Sequence, residues 1–271
     1  MSKIKKAVSK EVIQQTIIEN HKSTFPSRFK FLQAHNGVRS GMLQVLLGVS
    51  GAGKSSLFKT MIVDSAANEK VLVWLSEESV VEYQVAMCGV PGAYNNLKNV
   101  YFVEEKELDE WVVKDHKVFI QYFKDTIIES GCTAVFVDNV TTSMIYSDDI
   151  GVEQQSKNAM ALSKITKELG VAIVCVTHTK KHVTDNQAMV MTKEDVRGSN
   201  KIVMLSEYLW IMQRFISGNV IYPIIIIDKH RHHAIKDKYY LLEWVEGCYQ
   251  HDAKIKFELV TKIFKSRNRL G

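Results

Sequence analysis

Residues 43–56 read LQVLLGVSGAGKSS, and the reading of this stretch decides the fold. Its first six residues form a short apolar run, the signature of a buried strand. Residues 48–55, GVSGAGKS, fit the pattern G-x-x-x-x-G-K-[ST]. SLFKTMIVDSA follows and reads as a helix. A strand, a glycine turn and a helix in that order let backbone N–H groups and a helix N-terminus surround phosphate oxygens. The candidate nucleotide-binding residues are therefore Gly48, Ser50, Gly51, Ala52, Gly53, Lys54, Ser55 and Ser56. Lys54 is expected to reach the β- and γ-phosphates, and the Ser55 hydroxyl to ligate Mg²⁺. ATP and Mg²⁺ are the cofactors this pattern implies.

Strands and helices alternate beyond this unit. VLVWLS (71–76), VYFV (100–103), TAVFVD (133–138) and VAIVCVT (171–177) are continuous apolar runs. Such runs suit a parallel sheet buried on both faces. Helical patterns lie between them, at 56–67, about 79–88, 114–130 and 153–169. In the last, Ala159, Leu162, Ile165 and Leu169 line one face. The alternation implies an α/β fold with a mostly parallel, doubly wound central sheet flanked by helices. From residue 205 the texture changes. LSEYLWIMQRF, NVIYPIIIID and KYYLLEW read as antiparallel hairpins that extend the sheet at its C-terminal side.

A length of 271 residues with 46% hydrophobic content suits one large α/β domain with a short appendage. The longest apolar run, near IYPIIII (221–227), is far too short to span a bilayer, so no membrane partner is expected. The N-terminus carries lysines without an apolar core segment, and no targeting signal is read there. Cys88, Cys132, Cys175 and Cys248 are widely separated and form no C-x-x-C pair, which points to a reducing, cytoplasmic compartment. The net charge of +5 leans mildly toward polyanionic partners. Residues 8–20, SKEVIQQTIIENH, read as a short amphipathic helix with Val12, Ile13, Ile17 and Ile18 on one stripe. A helix this short needs a surface to pack on.

Ligands gather at the carboxyl ends of parallel strands. Asp138 ends TAVFVD and is expected to hold Mg²⁺ beside Ser55. Glu77 and Glu78 end VLVWLS, and either could take a proton from an attacking water. Neighbouring residues at a strand end point to opposite sides, so one of the two should face the site. Glu78 is preferred, with Glu77 close behind. Thr177 and His178 end the fourth run, where His178 could sense a γ-phosphate. Lys229 and Arg231 follow IIIID two residues apart, share one face of a continuing strand, and could reach a neighbouring subunit's phosphates. The histidines of HRHH (230–233) have no carboxylate or Cys partner nearby and are not read as a metal site.

These strand-end signatures, in this order, resemble the RecA-fold motor core. They look most like hexameric replicative helicases of the DnaB type, especially the compact RepA-like plasmid and phage forms. The likeness spans roughly residues 25–245. It runs from FKFLQAHNGVRSGML through GVSGAGKSS, WLSEES, AVFVDN, VTHTKK and VRGSNKIVMLSEYLWIMQR to DKHRHH. The resemblance implies a catalytic glutamate aligned on Glu78, a histidine sensor at His178, and Lys229 and Arg231 projecting into the neighbour's ATP site. It also implies a linker helix or arm over residues 1–28, docking on an adjacent protomer, and a RecA-like ATPase domain over 29–271. The expected protein is an ATP-hydrolysing, ring-forming motor on single-stranded DNA, a replicative helicase at work in a bacterial cell or a phage-infected host. Its partners would be further copies of itself in a hexameric ring, and a primase or loader.

Two loops complete this expectation. Residues 141–151 and 180–200 follow the strands that end at Asp138 and His178, and the second is long for a compact domain. By the resemblance both would face a central channel. Lys180, Lys181, Lys193 and Arg197 are the candidate contacts to the DNA backbone, and Tyr146 is the aromatic available for base stacking. A basic tail adds Lys262, Lys265, Arg267 and Arg269. Two further readings share the same strand ends: a RecA-type recombination filament, and a KaiC-like or loader-type assembly switch.

Overall fold

The computed structural model describes residues 25–33, 37–147, 149–180, 191–217, 220–231, 239–256 and 258. The amphipathic segment at 8–20, Lys181, His232, His233 and the basic tail lie outside the described residues. The principal elements are β1 (Leu43–Gly48), α1 (Lys54–Ser65), β2 (Val71–Leu75), α2 (Val80–Cys88), β3 (Val100–Glu104), α3 (His116–Ser130) and β4 (Ala134–Asp138). They continue with α4 (Val152–Leu169), β5 (Ala172–His178), α5 (Lys201–Leu205), β6 (Tyr208–Ser217), β7 (Val220–His230), β8 (Tyr239–Val245) and β9 (Cys248–Lys254).

Among the described residues the strands form one nine-stranded sheet in the order β3-β2-β4-β5-β1-β6-β7-β8-β9. The strands from β3 to β6 in this order pair in parallel, and β6 to β9 pair antiparallel. The molecule is an α/β protein with a mixed, mostly parallel central sheet flanked by helices. The four expected β-α repeats are present, with element ends shifted by one or two residues. Among the described residues no helix is long and apolar enough to cross a membrane.

Strand alternation sorts the side chains into two cores. Leu46, Val73, Phe136, Val174 and Trp210 lie in one, on the face covered by α1 and α2. Leu47, Trp74, Val135, Ile173 and Ile211 lie in the other, with residues of α3, α4 and α5. Helix α3 buries Phe119, Phe123 and Ile127 at four-residue spacing. Phe119 and Phe123 meet the Trp74 ring edge-on, with ring centroids 5.7 and 4.9 Å away. Burial of each large side chain contributes roughly 1.5–3 kcal/mol. The side chain of Asp115 caps α3 by accepting from the Lys117 and Val118 amides, and Gly131 ends the helix in the left-handed conformation. A capping box between Ser79 and Glu82 starts α2.

Helix α1 is buried almost all round, and Asp64 and Thr60 on it find partners in other segments. Arg28 forks onto Asp64 with bonds of 2.9 and 2.7 Å. The Thr60 hydroxyl donates to the Tyr249 carbonyl at 3.2 Å. Tyr249 belongs to β9, a strand the sequence pattern does not announce. CYQHDAK alternates poorly because Asp252 turns inward, where it accepts from the Lys30 and Phe31 amides at 2.6 and 2.8 Å. An aspartate at an inward position is thus a cap for the short helix Lys30–Gln33. Replacing Asp252 with Ala leaves the buried Phe31 amide without its partner. Urea denaturation of D252A should show a loss of about 1–3 kcal/mol.

Candidate functional site

The glycine turn between β1 and α1 is held from the antiparallel side of the sheet. A Cβ on Gly48 would stand 2.5 Å from the Met212 carbonyl oxygen, so β6 can approach only a glycine here. Gly53 sits at φ +96°, and a Cβ there would also meet the Tyr249 hydroxyl at 2.7 Å. Arg214 Nε donates to the Ala52 carbonyl at 2.9 Å. Lys54, at the first turn of α1, is buried and bends back over the loop. Its Nζ donates to the carbonyls of Gly48 and Val49 at 2.9 and 2.8 Å.

A cleft of about 280 Å³ opens over this loop. Ser50, Gly51, Gly53, Lys54, Ser55 and Ser56 form its floor, and Glu77, Asp138, Asn139 and His178 form its wall. The register explains the convergence. Gly48 pairs with His178, and Leu75 with Asp138, at one edge of the parallel sheet. Asp138 and His178 also continue the alternation that faces α1, since Phe136 and Val176 belong to the α1 core.

Burial governs the charges in the cleft. It lowers the Lys54 pKa to about 8, while Asp138 and Glu77 pull in the opposite direction. It lowers the His178 pKa to about 4, helped by the Lys54 charge. Lys54 therefore carries its proton at pH 7 and His178 is neutral. Across their 3.3 Å contact the ammonium donates to Nδ1, which leaves the imidazole proton on Nε2. Burial raises Asp138 to about 6, against the hydrogen bond it accepts from Tyr83. Ser55 Oγ donates to Asp138 Oδ1 at 3.4 Å. Two hard oxygen donors at this point suit a small hard cation such as Mg²⁺. Among the described residues no group of three or more His, Cys, Asp or Glu side chains could hold a metal. A Mg²⁺ carried with phosphate oxygens and waters does not require one.

Of the two adjacent carboxylates, Glu77 lines the cleft. Glu78 turns to Lys59, with its Oε2 2.9 Å from Nζ. Strand parity does not make this choice: β2 ends at Leu75, and beyond that end both carboxylates lie on the α1 side, Glu77 over the glycine turn and Glu78 against Lys59 of α1. Tyr83, which sequence reasoning missed, is fully buried and donates from its hydroxyl to Asp138 Oδ2 at 3.0 Å. Its ring lies under Lys59 Nζ, 4.2 Å from the centroid. No spacing signal marks Tyr83, because only the packing of α2 on the sheet brings it to Asp138.

The segment after β4 is tied down closely. Glu105 is buried and accepts from Trp74 Nε1 at 2.8 Å and from the Ser143 hydroxyl and Met144 amide at 2.5 Å each. Ser76 Oγ donates to the Asn139 carbonyl at 2.8 Å. Tyr146 is 1% exposed and its hydroxyl donates to the Ser199 carbonyl, so its ring is packed inside and does not present a stacking face. Lys180 Nζ donates to the Glu194 carbonyl at 2.9 Å, and the Arg197 amide to the His178 carbonyl at 2.9 Å. Lys180 and Arg197 thus stand next to the cleft wall.

Lys229 and Arg231 share one face, as their spacing requires, and it is the face opposite α1. Lys229 Nζ donates to the carbonyls of Val203 and Met204 at 2.9 Å each, and Arg231 Nη2 to that of Met204 at 3.1 Å. Burial, then the Arg231 charge, lowers the Lys229 pKa to about 8. With Lys193 and Asp228 they line a second cavity of about 520 Å³. His230 is buried and packs on Tyr208 with the rings tilted by 36° and their centroids 4.3 Å apart.

No family model matches the chain, and no curated protein matches it. The close approach at Gly48 yields a direct test of the site's geometry. G48A should destabilise the fold by about 1–3 kcal/mol, read as a lower thermal midpoint, because the new methyl meets backbone that cannot swing aside.

Proposed function

We propose that the chain is a RecA-like P-loop NTPase that hydrolyses ATP and acts as a ring-forming motor on single-stranded DNA, of the replicative helicase kind. The observation that carries this reading is the meeting of Lys54, Ser55, Glu77, Asp138 and His178 in one cleft over the glycine turn. Lys54 can exchange its bonds to the Gly48 and Val49 carbonyls for phosphate oxygens. Ser55 and Asp138 would hold Mg²⁺, which supplies charge neutralisation on the phosphates. Glu77 is the better placed of the two glutamates to accept a proton from water, since Glu78 is engaged with Lys59. The neutral His178, with its proton on Nε2, can donate to a γ-phosphate oxygen and register its departure.

Lys229 and Arg231 point away from the cleft of their own chain, toward α5. On the ring reading, they would act at a nucleotide held by a neighbouring copy. Lys180 and Arg197, beside His178, are the described residues best placed to couple bound DNA to nucleotide state.

The decisive experiment is ATP turnover with and without single-stranded DNA, paired with strand displacement on a forked duplex. Stimulated turnover with unwinding is expected; turnover indifferent to DNA would defeat the motor reading. E77Q should lower turnover by about 100-fold or more, with E78Q affected less, in the same steady-state assay. K54A and R231A should each be inactive alone, and an equal mixture should recover part of the turnover. No recovery on mixing would mean that the sites are not shared between subunits.

A further inference from the structure

We infer that Tyr83 is the positioning residue that orients the Asp138 carboxylate, and so sets how well the site holds a divalent cation with the nucleotide. The inference rests on the NTPase reading of the cleft and goes beyond it. The two oxygens of Asp138 have different partners. Oδ2 accepts from the Tyr83 hydroxyl at 3.0 Å, and Oδ1 accepts from Ser55 Oγ at 3.4 Å. The terminal torsion of an aspartate is broad and roughly two-fold, so rotamer preference alone does not fix the carboxylate plane. A hydrogen bond to one oxygen does fix it, and turns the other toward Ser55.

The phenol is itself held in place. Tyr83 is fully buried, and its ring meets Phe102 edge-on at 6.4 Å. Lys59 Nζ sits 4.2 Å from the ring centroid and pairs with Glu78 at 2.9 Å. The chain from Glu78 through Lys59 and Tyr83 to Asp138 gives Glu78 a supporting role while Glu77 faces the cleft. Partners in this outer position orient the group that touches a metal, and their loss typically costs 10–100-fold in metal affinity.

The test uses Tyr83→Phe, which keeps the ring against Phe102 and Lys59 and removes only the hydroxyl. Binding of a fluorescent ATP analogue is measured without metal and through a Mg²⁺ titration, with a thermal melt as the fold control. Y83F is expected to bind the metal-free nucleotide as the wild type does. Its apparent Mg²⁺ affinity should fall by about 10-fold or more. On an Asp138→Asn background, Y83F should add little further loss, since both changes act on one carboxylate. Lys59→Met, which leaves the hydroxyl in place, should weaken the Mg²⁺ response less than Y83F and serves as the second variant.

Three results would overturn the inference: a Mg²⁺ titration of Y83F identical to wild type, an equal loss with and without metal, or full additivity with D138N. If the wild-type chain binds no nucleotide, the NTPase reading falls and this inference falls with it. That result is distinct from normal wild-type binding with an unaffected Y83F, which removes the Tyr83 role alone.

Discussion

The parallel register of β1, β4 and β5 is the constraint on which the site depends. Side chains alternate along a strand, so a given face receives every second residue. Leu46 and Gly48, Phe136 and Asp138, and Val176 and His178 occupy matching positions in this alternation. The face they share is the face covered by α1. A slip of one residue in β4 or β5 would turn Asp138 or His178 to the far side, where α3 and α4 lie. The apolar residues that precede each polar end make such a slip costly, because they would all change faces together. The cores on the two faces therefore hold the register, and the register holds the site.

Burial is the second determinant. Lys54, Asp138 and His178 each have the charged form disfavoured by desolvation, and each is offset by a neighbour or a hydrogen bond. Lys54 keeps its proton at pH 7 because Asp138 and Glu77 are close, and because the loop carbonyls accept its hydrogen bonds. His178 sheds its proton because it is buried, and the Lys54 charge 3.3 Å away adds to the effect. The outer residues reinforce the arrangement. Arg214 holds the Ala52 carbonyl, Tyr83 holds one oxygen of Asp138, and Glu105 ties the segment after β4 to the core at Trp74.

Much of the architecture was legible in the chain. Four apolar runs became β2 to β5, and the helical stripes between them became α1 to α4. The change of texture after residue 205 became the antiparallel half of the sheet. β9 was not legible, because Asp252 breaks its alternation to cap a helix more than two hundred residues earlier in the chain. Tyr146 was open to misreading for a related reason. An aromatic in a polar loop suggests a stacking surface, yet its partner Ser199 comes from a distant segment and draws it inside. Tyr83 sits on a short helix with no motif around it, and its meaning lies in a carboxylate fifty-five positions away.

The sequence by itself determined the glycine turn, the polar residues at the strand ends, and the pairing of Lys229 with Arg231 on one face. Local rules suffice for these, because a motif, an apolar run and a two-residue spacing are all short-range properties. Tertiary structure alone decided which face each strand end presents, and, beyond the end of β2, that Glu77 lines the cleft while Glu78 pairs with Lys59 of α1. It also decided that Lys229 and Arg231 stand across the sheet from α1, and that Tyr83 reaches Asp138. The physical reason is that periodicity fixes relative orientation within one strand. Only the packing of helices on a finished sheet says which of its two faces becomes the site.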